Sequence, residues 1–244
     1  MKKTAPIKLT PEEIAWVKSM VIDDDPWILS LNKPAGLSSQ GGRGQVNTLD
    51  ELLWAFARSS GNRPRMIHRL DRDTSGVILT ARTKPAAGFL GKAMMARKFK
   101  KTYRAIVAGG GMEPASGVIE TPLRREEQGR EAYMRVCAPD HPDAEAAKTV
   151  YRTVIQVPGA ALLELEPHTG RMHQLRVHLA SIGRPIVGDA RYGGALVVAG
   201  QPVPRLMLHA QSLIFPHPDG GWKKVEADPP EDFQTLSAAL FDGL

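Results

Sequence analysis

His68-Arg69-Leu70-Asp71-Arg72-Asp73-Thr74-Ser75-Gly76 is the densest polar stretch of the chain, and the apolar run Val77-Ile78-Leu79-Thr80 follows it directly. Loops held by strands are where reactive side chains commonly sit. Asp71 lies between Arg69 and Arg72, and nearby cations favour the ionised form of a carboxylate. An ionised carboxylate can act as nucleophile, general base or one half of an ion pair. On spacing alone the ion pair is the better reading. Asp73, in an Asp-Thr-Ser-Gly context, is expected to tie a turn together.

The second concentration is Pro167-His168-Thr169-Gly170-Arg171-Met172-His173-Gln174-Leu175-Arg176-Val177-His178-Leu179, followed by Gly188-Asp189 and Tyr192-Gly193. A helix over 172–181 would put Leu175, Leu179 and Ile182 on a core face, with His173 and Arg176 on another face that could look into a cleft. His173 and His178 are five apart without the metalloprotease glutamate pattern, so no metal site is expected. A third stretch, Arg97-Lys98-Phe99-Lys100-Lys101-Thr102-Tyr103-Arg104, mixes cations with aromatics as nucleic-acid contacts do, although a solvated helix end fits equally.

The elements that must carry these residues follow from periodicity. Strands are expected at 27–31, 77–80, 103–107, 116–120, 131–137, 148–157, 161–166, 206–215 and 222–227. Helices are expected at 49–59, capped by Thr48 with Glu51 reaching back, at 84–98, and, capped, after Pro229-Pro230. Residues 124–130 read as a charged loop. Strands do not alternate regularly with helices, which predicts an α+β fold with a mixed, mostly antiparallel central sheet and flanking helices. Residues 1–25 are polar and form an N-terminal extension, and 26–244 read as one unit.

The 244 residues include 42% hydrophobic and 24% charged side chains, ordinary values for a folded domain. A net charge of +6 favours a polyanionic partner. The single cysteine, Cys137, allows no internal disulfide and fits a reducing cytoplasm. Lys2 and Lys3 are not followed by an apolar signal core, and no stretch approaches the roughly 20 apolar residues of a membrane span, so neither export nor insertion is expected. The Gly-rich loop through Gly44 lacks the Gly-Lys-Ser/Thr ending of a phosphate-binding loop, and no dinucleotide fingerprint is present.

Taken in order, three of these motifs resemble the RluA-type family of pseudouridine synthases: His68-Arg69-Leu70-Asp71 with Thr74-Ser75-Gly76, Lys101-Thr102-Tyr103-Arg104-Ala105, and Thr169-Gly170-Arg171-Met172-His173-Gln174-Leu175-Arg176-Val177-His178. The resemblance implies a catalytic cleft between two lobes and a monomeric catalytic domain over 26–244, without the S4-type RNA-binding module of many relatives. It implies Asp71 as the catalytic carboxylate, Arg69 as the side chain that helps extrude a uridine, Tyr103 as a catalytic residue packed on the base and a candidate for deprotonating C5, and Arg176 as a catalytic residue paired with Asp71. His68, Arg171 and His173 are then substrate contacts. Met172 departs from the Thr or Ser common at that position. The implied partner is structured RNA, ribosomal RNA ahead of transfer RNA, with no DNA, membrane, metal or cofactor. Asp71 could first attack C1′ of the ribose, add to C6 of the base or remove the 2′ proton. Two other readings compete: a hydrolytic RNA N-glycosidase using Asp71 and Asp73, and an RNA-binding protein without catalysis.

Overall fold

Runs of β-branched and aliphatic residues make most of the secondary structure, and the strands pair mostly antiparallel. The computed structural model describes residues 7–41, 47–58, 61–110, 112–129 and 131–242. It divides into two units, one of residues 1–99 and 212–228 and the other of 100–211 and 229–244. The result is a mixed α+β chain dominated by antiparallel strands.

In the first unit, strand Ile28–Lys33 pairs with Val21–Asp24 on one side and with Ser75–Ala81 on the other, in a register that sets Ile28 opposite Ala81 and Lys33 opposite Gly76. All seven residues of Ser75–Ala81 are buried, which explains their apolar, β-branched character. Ile28, Val77, Leu79 and Leu90 pack with Phe99 and Phe215, whose rings stack at 5.7 Å. Leu90 comes from helix Lys84–Met95, capped by Thr83 and shorter than expected because Arg97 turns into the left-handed region.

The polar N-terminus is more structured than its composition suggested. Thr10 and Glu13 form a capping box for helix Pro11–Ser19. Strand Val21–Asp24 follows, and the Asp25 carboxylate accepts the N–H groups of Trp27 and Ile28 to turn the chain. Burial would raise the Asp25 carboxyl, but Lys223 and the two amides outweigh it and hold it at about 2.

The helix expected over 49–59 begins as anticipated, with the Thr48–Glu51 box, but its α-helical part ends at Leu52 and continues as a 3-10 turn to Phe56. Arg63 grips Asp50 through Nη1 and Nη2, each at 2.7 Å, and lies over Trp54. Position 59 and the loop positions 42–44 lie outside the described residues.

In the second unit, Lys100–Ala108 pairs with Ala160–Pro167, which pairs with Thr149–Val157, which pairs with Ser116–Ile119. Ile106, Leu163, Leu165, Leu179, Ile186 and Met207 are among its core residues, joined by Phe233, Leu236 and Phe241 of the terminal helix Glu231–Phe241. That helix has no side-chain cap, because Pro230 stands at its N-cap and carries no side-chain acceptor; Asp232 in its first turn pairs with Arg205. Residues 123–128, read as part of a loop, form one arm of a hairpin with Glu131–Val136. The 123–128 arm is largely solvated and charged, so the two-residue apolar alternation that announces a strand is absent there, whereas the 131–136 arm lies where a strand was expected.

Candidate active site

The carboxylate loop belongs to the first unit. It leaves strand Arg65–Met66 and rejoins the scaffold at Ser75, and main-chain bonds hold it in place. The Ser39 hydroxyl accepts the Leu70 N–H at 3.1 Å and donates to the Leu70 carbonyl at 2.6 Å. The Asp71 carbonyl accepts the Thr74 N–H at 3.2 Å, closing a turn around Arg72 and Asp73. Nε2 of His68 accepts the Leu79 N–H at 3.1 Å, which requires the neutral ring with that nitrogen unprotonated.

Lys33 is fully buried and donates to the carbonyls of Pro34, Leu37 and Arg72 at 2.9, 2.8 and 3.0 Å. Its ammonium therefore binds the residue immediately after Asp71. Gly36, at φ 85°, donates to the same Arg72 carbonyl at 2.9 Å. This bracing alternates exposure along the loop: Leu70 is buried, Asp71 half-buried, and Arg69, Arg72 and Asp73 exposed. Asp73 faces Arg72 at 3.9 Å with both side chains more than half exposed.

The second unit holds the arginine motif. Helix Gln174–Ser181 starts from His173, a non-glycine residue at φ 52°. Such positions store strain and persist only where their surroundings determine them. Here Nδ1 of His173 lies 2.9 Å from the Tyr192 hydroxyl, and the two rings meet edge to face. Arg176 is 8% and Asp189 1% exposed, and the guanidinium binds the carboxylate through Nε at 2.8 Å and Nη2 at 2.7 Å. The face of the guanidinium rests on the Tyr192 ring at 5.1 Å.

Gln174 ties the preceding loop to the sheet. Its amide donates to the Lys148 carbonyl and the Thr149 hydroxyl, while its oxygen accepts the Thr169 hydroxyl and the Arg171 N–H. Arg171 reaches Glu145 and the Ala146 carbonyl, so its guanidinium also braces this unit. Of the expected core face, Leu175 and Leu179 are buried but Ile182 is 40% exposed, because the helix ends at Ser181. Tyr103 sits opposite Leu165 in the sheet and is half-buried against the unit's core. Lys101, two residues before it, is held below the ordinary lysine range by burial.

His178 is fully buried between the Thr149 hydroxyl at 2.9 Å and the Thr121 carbonyl at 3.0 Å. A carbonyl only accepts, so Nε2 carries a proton, and burial pushes the ring's pKa below the usual 6.5, which favours the neutral form. Between the lowered folded value and 6.5 the unfolded chain binds more protons. The stabilisation is therefore complete above 6.5 and is lost as pH falls through the folded value. Urea midpoints of the wild type should drop more steeply than those of His178→Gln on acidification through this window; parallel curves would contradict the assignment.

Sequence reasoning singled out Asp71, Tyr103, Arg176, Arg69, His68, Arg171 and His173. The structure gathers His68, Arg69 and Asp71 in one loop, and Arg171, His173 and Arg176 around one helix start. It adds Lys33, Gln174, Asp189 and Tyr192, to which no role had been given. For Lys33 the available signal was a lysine closing an apolar strand; for Asp189 and Tyr192 it was the glycines beside them. Among the described residues, no group of three His, Cys, Asp or Glu side chains is arranged to hold a metal, and no helix is long and apolar enough to cross a membrane.

An α+β scaffold with an arginine-flanked aspartate loop in one unit and a buried arginine at a helix start in the other defines a recognisable class. The chain belongs to the RNA pseudouridylate synthase family, whose model matches residues 28–181. It is 32% identical to RNA pseudouridine synthase 4, mitochondrial, of Arabidopsis thaliana, over 98% of this chain and 60% of that protein. It is 34% identical to ribosomal large subunit pseudouridine synthase C of Haemophilus ducreyi, over 89% of this chain and 67% of the relative. The chain thus spans between three fifths and about two thirds of the length of these relatives. Among solved structures it resembles human RNA pseudouridylate synthase domain containing 1, with a TM-score of 0.70 and 28% identity over 91% of this chain and 87% of the other.

Proposed function

We propose that this chain isomerises uridine in structured RNA to pseudouridine, with Asp71 as the catalytic carboxylate. The observation that carries the reading is the Asp71 loop: a half-buried carboxylate between exposed Arg69 and Arg72, braced by main-chain bonds to Ser39 and Lys33. Preorganised loops of this kind hold a reacting group in place without reorganisation during the reaction.

In the reaction the bond from C1′ to N1 breaks and a bond from C1′ to C5 forms. The proton leaving C5 is balanced by one gained at N1. Oxidation state does not change, so the step calls for no redox partner or group carrier. A stacked base must first leave the helix, at a cost of a few kcal/mol. We assign Arg69 to that extrusion, Tyr103 to packing on the base, and Arg176 to serving Asp71. His68, Arg171 and His173 are assigned to substrate contact.

Ribosomal RNA is the favoured substrate, supported by the name of the Haemophilus relative, and the reducing cytoplasm suits a chain with one cysteine. The test is incubation of ribosomal RNA, and separately transfer RNA, with the purified chain, followed by chemical mapping of pseudouridine and assay of free uracil. Pseudouridine without uracil release is the expected result. Free uracil would point to a glycosidase, and neither product to an RNA-binding protein.

A further inference from the structure

We propose that Asp189 is a positioning residue, delivering Arg176 to the reaction as a fixed, charge-balanced hydrogen-bond donor in place of a mobile cation. The proposal rests on the reading of Arg176 as a residue of the active site. Asp189 takes Nε and Nη2 of the guanidinium, and this two-point contact sets both the plane and the rotation of the group. Nη1 lies on the edge that Asp189 does not engage.

Asp189 is itself immobile. Its Oδ1 also accepts the backbone N–H groups of Arg191 and Tyr192, each at 3.1 Å, and its own main chain is tied to Ile186 and Gly194. Tyr192 then covers the guanidinium face, and its hydroxyl is held by the Met134 N–H at 3.1 Å and by His173. Arg176 is thus fixed along one edge and one face.

The path of the 186–194 turn allows no slack. A Cβ on Gly188, which has φ 77°, would sit 1.8 Å from the Arg205 carbonyl oxygen, and one on Gly194 would sit 2.0 Å from that of Ile186. A turn so determined, ending on a carboxylate aimed at one buried guanidinium, does more than neutralise a charge. It removes the freedom Arg176 would otherwise lose in the transition state.

The test measures guanidinium dynamics and kinetics together. In the RNA-free wild type, the Arg176 Nε–H signal in 15N NMR, assigned with Arg176→Lys, should be protected from exchange, with slow rotation of the guanidinium. In Asp189→Asn, which keeps the side-chain volume, that protection should vanish. kcat should fall on the order of 10²-fold while KM for RNA stays within about threefold. A purely structural ion pair would lower the melting temperature and leave kcat of the folded fraction unchanged.

If Asp189→Asn does not fold, Tyr192→Phe retains the ring and removes only the hydroxyl, and it should speed guanidinium rotation and reduce kcat at constant KM. An Arg176 signal in the wild type that exchanges like that of an exposed arginine overturns the proposal. So does a folded variant with wild-type kcat. Since NMR reads Arg176 without turnover, a protected signal in a wild type that makes no pseudouridine would count against the functional reading and not against the positioning.

Discussion

Asp71→Asn is expected to abolish pseudouridine formation, a loss on the order of 10⁴-fold or more, while RNA affinity stays within about a few-fold. The carboxylate is assigned to the chemical step, and a reacting group contributes little ground-state binding. The loop should survive the change. Its anchors act on main-chain atoms: the Leu70 amide and carbonyl on Ser39, the Asp71 carbonyl on Thr74, and the Arg72 carbonyl on Lys33. Asparagine has nearly the volume of aspartate and leaves all of these in place. Single-turnover conversion, RNA binding and melting temperature measured on one preparation separate these effects. Conversion at the wild-type rate would remove Asp71 from the mechanism.

Arg176→Ala carries the second large effect, on stability as well as activity. It leaves the Asp189 carboxylate, 1% exposed, without its guanidinium. Breaking a buried pair from one side costs about 3–5 kcal/mol, because the remaining charge is uncompensated. The amides of Arg191 and Tyr192 still bind Oδ1, which places the expected loss toward the lower end of that range. Arg176→Lys should recover only part of it, since one ammonium cannot span both oxygens in plane. The double variant Arg176→Met with Asp189→Leu should be more stable than Arg176→Ala and yet inactive. Urea denaturation gives the comparison, and an Arg176→Ala protein as stable as the wild type would refute the buried-pair account.

How much of this was legible beforehand differs from element to element. The Thr48–Glu51 box and the strand expected at 77–80, which runs from 75 to 81, were, because capping and apolar runs are local patterns. The matching box at Thr10 and Glu13 carried the same signal in a polar setting where no apolar stripe drew notice. The 123–128 strand was hidden because its pairing is satisfied through backbone bonds while its side chains remain in water.

By itself the sequence determined the class of fold, the family and the loop that bears Asp71, since those depend on residue types at short, fixed spacings. Partner choice among buried polar groups was decided only by tertiary structure. Arg176 finds Asp189 thirteen residues away, and Lys33 finds the Arg72 carbonyl thirty-nine residues away. No local periodicity encodes such pairings. A buried charge takes whatever partner the fold brings within hydrogen-bonding reach, because leaving it without one costs more than the local conformation can return.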